Sequence, residues 1–117
     1  MPATEVAEVI GTKVKAIRPM TPAEFDALFD WSHGDLPQVI ELENGVIAIP
    51  CRDPELNGPG CFDDLTRIKV GHAITRASSY KAVIATEARG TVAWCDPEGN
   101  GPGHILFKHG EQYFDVR

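Results

Sequence analysis

Asp53-Pro54-Glu55-Leu56-Asn57-Gly58-Pro59-Gly60 returns later in the chain as Asp96-Pro97-Glu98-Gly99-Asn100-Gly101-Pro102-Gly103. Seven of the eight positions are identical, so the chain reads as two diverged copies of one unit, and a repeat constrains the fold before any single element does. Upstream of the loops, Val39-Ile40, Glu43, Gly45 and Ala48 align with Val83-Ile84, Glu87, Gly90 and Ala93, with Arg89 inserted at the turn. Further back, Thr12-Lys13-Val14-Lys15 aligns with Thr66-Arg67-Ile68-Lys69 at a longer offset. The difference in offset matches a helix held by the first unit alone, which leaves Ala73 to Tyr80 as a shortened connection in the second.

Local patterns fill in each unit. Lys13 to Arg18 alternates polar and apolar, the period of a strand with one buried face. Thr21-Pro22-Ala23-Glu24 reads as a helix start: Thr21 caps, Pro22 suits the first turn and Glu24 completes a capping box. Phe25, Leu28 and Phe29 then share one face, and the helix is expected over 22–31. Asn44-Gly45 between Val39-Ile40-Glu41-Leu42 and Val46-Ile47-Ala48-Ile49 predicts a hairpin with a type I′ turn. A last hairpin over 105–117 turns at His109-Gly110.

A unit of this kind exposes an apolar sheet face and is marginal by itself, whereas two can bury those faces against each other. The expected fold is mainly β (α+β): a small barrel or sandwich of seven or eight strands, built from two pseudo-twofold strand/hairpin repeats. One single domain spans 1–117, with repeat 1 over about 12–61, repeat 2 over about 66–104 and the C-terminal hairpin after them. The expected core is Val14, Phe25, Phe29, Val39, Leu42, Ile47, Ile49, Ile68, Val83, Val92, Trp94, Ile105 and Phe107.

Composition narrows the function classes. The chain has 117 residues, 43% of them hydrophobic and 24% charged, and a net charge of -6. That is ordinary globular composition, and the acidic balance argues against nucleic acid as a partner. No apolar run approaches the roughly 20 residues of a membrane span, and the first residues lack the pattern of a signal peptide. Three cysteines without framework spacing fit a reducing, cytoplasmic setting.

The stretch from Arg18-Pro19-Met20-Thr21 through the acidic hairpin to the first Gly/Pro loop resembles a set of small uncharacterised microbial and phage proteins. The resemblance covers about residues 12–60 and the second loop shares its core motif. It implies a shared fold and a phage or mobile-element origin, and it transfers no catalytic residue. That group often carries Ser at the position of Cys51, so the resemblance gives this thiol no indispensable role.

Several sets of residues carry chemistry. Asp53, Glu55, Asn57, Asp96, Glu98 and Asn100 are the ligand-binding candidates, because loops on a rigid sheet make good binding surfaces; the plain alternative is that these turns merely connect strands. Cys51, Cys61, Cys95 and His104 bracket the two loops and compose a Cys₃His set suited to structural zinc; otherwise they are small buried residues. Asp63-Asp64 and the loop acids are candidates for acid–base work, or solvated turn residues. Lys13, Lys15, Arg18, Arg67, Lys69 and Arg76 form one basic face if the two equivalent strands are neighbours, or else a solvated, edge-protecting one. No catalytic set is assigned. The reading favoured by the sequence is a non-enzymatic binding or interaction domain that contacts a small phosphorylated ligand or a protein through both loops. A zinc-stabilised structural module and a small hydrolase using loop carboxylates are the alternatives, and open sheet edges suit a homo-oligomer.

Overall fold

The strand pattern of the sequence folds into two antiparallel sheets. The computed structural model describes residues 8–29, 36–53, 55, 58–62, 65–87, 91–95 and 103–116, with 91–95 described as backbone. Its elements are β1 (Val14–Pro19), α1 (Pro22–Leu28), β2 (Gln38–Leu42), β3 (Val46–Cys51), β4 (Cys61–Phe62), a 3-10 turn (Leu65–Arg67), β5 (Ile74–Ser78), β6 (Val83–Thr86), β7 (Thr91–Cys95), β8 (His104–His109) and β9 (Gln112–Phe114). One sheet runs β1-β2-β3-β8-β9 and the other β4-β7-β6-β5. Among the described residues, none forms a helix long and apolar enough to cross a membrane.

The two sheets share one core. Val14, Ile40, Leu42, Val46, Ala48, Ile105 and Phe107 of the first sheet pack with Phe62, Ile74 and Ile84 of the second. A second cluster lies on the opposite face of the first sheet, where Phe25 and Phe29 of the α1 region cover Val39, Ile49, Cys51 and Leu106. This makes a sandwich with α1 on its outside, and among the described residues the ladders form no closed barrel. Of the expected core, Ile47 and Val83 are half-buried, while the side chains of Val92 and Trp94 lie outside the described set.

Each half pairs in the same way. In β1–β2 the register runs Val14↔Leu42, then Ala16↔Glu41, with Lys15 bulged between them. In β5–β6 it runs Ile74↔Thr86, then Arg76↔Ala85, with Thr75 in the same bulged place. The two halves meet at the Lys13↔Ala73 bridge, where the hydrogen bonds are reciprocal. Val14 N donates to His72 O at 2.9 Å and Ile74 N to Thr12 O at 2.9 Å; Gly11 N donates to Ile74 O and Gly71 N to Val14 O, each at 2.8 Å. Gly11 and Gly71 stand at φ +90° and +92°.

This pattern corrects two of the alignments expected above. The counterpart of β1 is Ile74–Ser78 and not Thr66–Lys69, which forms the 3-10 turn and its exit. Ala73 to Tyr80 is therefore a strand and its turn, not a shortened connection. A bulge shifts the in/out alternation by one residue, so Ile-Thr-Arg-Ala-Ser loses the period-two signature. Thr-Arg-Ile-Lys keeps that signature while burying only Ile68 from a turn. Likewise, Ile40↔Ala48 is matched by Ile84↔Val92, so Ala48 corresponds to Val92 and not to Ala93; Arg89 lies outside the described residues.

Two local expectations also change. Thr21 caps α1 with its capping box in place, but the helix ends at Leu28 because Phe29 is extended at φ -113°, ψ 135°; 30–35 are not among the described residues. At the first hairpin, Gly45 N donates to Leu42 O at 3.0 Å. Gly45 has a positive φ and Asn44 does not. A type I′ turn would need both positive, so this is a three-residue loop with Gly at its left-handed position.

Candidate functional site

Strand pairing sorts the proposed metal ligands into two pairs on different sheets. Cys51 is the Cα partner of His104 in β3–β8, and Cys61 is the Cα partner of Cys95 in β4–β7. Cys51 belongs to the cluster under α1. Cys61 is next to Phe62, which joins the inter-sheet core, and adjacent strand residues face opposite ways. Among the described residues, no three side chains of metal-binding type gather. The Cys51 thiol is pushed up to about 12, first by burial and further by the carboxylates of Asp115 and Asp53.

The first Gly/Pro loop is closed tightly at its base. Arg52 N donates to Gly58 O at 2.8 Å, Gly60 N donates to Pro50 O at 2.9 Å, and Cys51 bridges Pro59. Asp53 is half-buried and Glu55 exposed. Asn57, Asp96, Glu98 and Asn100 lie outside the described residues, as do Asp63 and Asp64.

The expected basic face is divided by acids. Arg18 makes a bidentate pair with Glu24, both N···O distances being 2.9 Å, and its Nε donates to Glu41 at 3.0 Å. Lys15 joins Glu41 at 3.3 Å. The bond from Arg18 holds the Glu24 carboxyl down to about 2, and Glu41 is lowered by the same partner first and then by Lys15. Arg67 sits in the 3-10 turn. Of the six cations named from sequence, Arg76 borders a cavity.

That cavity is a groove of about 380 Å³ lined by Arg76, Ala77, Ser78, Lys81 and Val83. Its place follows from the pairing symmetry. In the first half the β1–β2 connection contains α1, which covers Val39 completely. In the second half the β5–β6 connection is only the turn Ser79–Ala82, and Val83, the counterpart of Val39, stays half-buried. Ala82 closes that turn at φ 51°. Arg76 and Lys81 are exposed, and neither makes an ion pair among the described residues. Lys81 N donates to Ser78 Oγ at 3.2 Å, which leaves the Ser78 hydroxyl proton free to donate elsewhere.

The far side of the same turn is tied to the first sheet. Ser79 N donates to Val116 O at 2.6 Å and Val116 N returns a bond to Ser79 Oγ at 2.8 Å. Tyr80 donates to Asp115 Oδ2 at 3.0 Å, and His104 Nε2 meets Asp115 Oδ1 at 2.7 Å. The buried His104 ring packs edge-on to Tyr80 at 5.0 Å, and its Nδ1 has no hydrogen-bond partner among the described residues. These contacts fix the wall of the groove to the C-terminal segment.

Sequence reading had Arg76 but not Ser78 or Lys81. No motif marks them, because the groove depends on the short β5–β6 turn, whereas the β1–β2 connection carries α1. Comparison of the chain with known proteins finds no matching family model, no matching curated protein and no matching solved structure.

Proposed function

We propose that this chain is a non-enzymatic binding domain that takes a small phosphorylated ligand in the β5–β6 groove. The observation that carries the reading is the pair of exposed cations, Arg76 and Lys81, which make no ion pair among the described residues, on one cavity of a protein with net charge -6. A guanidinium offers a planar fork to phosphate oxygens and an ammonium adds a point charge. The Ser78 hydroxyl supplies a neutral donor between them. A groove of this volume lies at the lower end of the usual range for small-ligand sites, roughly 300–1,000 Å³. The equivalence of the two pairing patterns supports a duplicated unit, with the missing helix opening the site in the second copy.

The test is titration of the ¹⁵N-labelled chain with inorganic phosphate and with a sugar phosphate, followed by amide shifts. Saturable shifts at residues 76–83 support the reading, and Arg76→Ser with Lys81→Ser should remove them. Asp53→Ala should leave them unchanged, since this reading moves the ligand away from the loops. Saturable shifts confined to the loops would return the site to Asp53 and Glu55. No shift at all would end the phosphate reading.

A further inference from the structure

The strand that leaves the first Gly/Pro loop pairs with the strand that enters the second. Cys61 of β4 and Cys95 of β7 are Cα partners in that ladder. Directly opposed residues of an antiparallel pair have Cα atoms about 4.5–5.5 Å apart, inside the roughly 4.4–6.8 Å that a disulfide spans. Sequence spacing gives no hint of this pair, because strand exchange between the halves creates it. Cys51 differs from both. Its Cα partner is His104, it is completely buried, and burial holds its thiol protonated. Cys61 is only half-buried, within reach of a small oxidant.

We propose that Cys61 and Cys95 are a redox modification site that closes reversibly to a cross-strand disulfide. The oxidant is of the peroxide class. The Cys61 thiol gives up its proton, the thiolate attacks an oxygen of hydrogen peroxide, the O–O bond breaks, and the hydroxide released takes up that proton and leaves as water while Cys61 becomes a sulfenic acid. The Cys95 thiol likewise ionises, its thiolate attacks that sulfur to form the S–S bond, and the displaced hydroxide takes up the Cys95 proton and leaves as a second water. Two thiols are oxidised, one peroxide is reduced, and thiol exchange with a dithiol restores the starting state. Residue 61 directly follows the first loop and residue 95 directly precedes the second. The bond therefore anchors both loops at one point.

The test uses the full chain, reduced, desalted and exposed to stoichiometric hydrogen peroxide. Intact mass is expected to fall by about 2 Da, the two hydrogens lost when one disulfide forms, and dithiothreitol should reverse the loss. Trypsin places each cysteine in a different peptide, so non-reducing digestion should link residues 53–67 to residues 90–108. Cys51→Ser should leave the link intact, while Cys61→Ser and Cys95→Ser should each abolish it. If either variant fails to fold, the wild-type peptide map still decides. Oxygen addition without linkage, a link involving Cys51, or only intermolecular dimers would overturn the proposal.

Discussion

Replacing Glu24 by Gln keeps the shape of the side chain and removes the charge that α1 presents to the first sheet. In the wild-type chain this carboxylate accepts both terminal nitrogens of Arg18 at 2.9 Å and the amide of Thr21 at 2.9 Å. These bonds hold it at about 2 against its usual 4.5. A depression of that size corresponds to about 3 kcal/mol at neutral pH. Arg18 and Glu24 keep 28% and 17% of their side-chain surface exposed, and solvent screening brings the expectation to about 1–2 kcal/mol. Because the folded-state value is depressed, the stabilisation is complete above the unfolded carboxyl's titration and is lost as pH falls from about 4.5 towards 2. Urea unfolding at a series of pH values measures this. At neutral pH Glu24→Gln should lower the midpoint by roughly 0.5–1 M, and the gap from wild type should close on acidification. A gap that stays constant down to pH about 2.5 would refute the ionic account and leave only the cap.

Two further outcomes follow from the packing and the backbone. Phe25→Ala should cost about 3–5 kcal/mol in urea unfolding, because Phe25 is 1% exposed and anchors the cluster under α1; a loss below about 1 kcal/mol would mean that α1 is not a structural cover for the sheet. Gly11→Ala and Gly71→Ala should each cost about 1–2 kcal/mol. A Cβ at either site meets nothing within 4 Å, so only the positive φ opposes it, and equal losses in equilibrium unfolding would reflect the reciprocal bonds around Lys13 and Ala73.

The legible parts of the fold were those written in short-range chemistry. The helix start at Thr21, the hairpins at Asn44-Gly45 and Gly110, and the buried Val39, Leu42 and Ile49 all appear where residue types and spacing placed them. β5 was lost because Thr75 is bulged, which removes alternation from a five-residue strand. The groove was lost for a different reason. Lys81 and Ser78 look like ordinary turn residues, and their meaning comes from the absence of a helix over Val83.

Residue sequence alone determined that this chain would pair strands around Gly-containing turns, with one capped helix, because turns and caps depend on neighbours three or four positions apart. Only the tertiary structure decided which strands meet. β4 crosses to β7 and β8 returns to β3, so the backbone pairs Cys61 with Cys95 and Cys51 with His104. Register between distant strands is set by burying whole faces at once, and no window of sequence contains both partners.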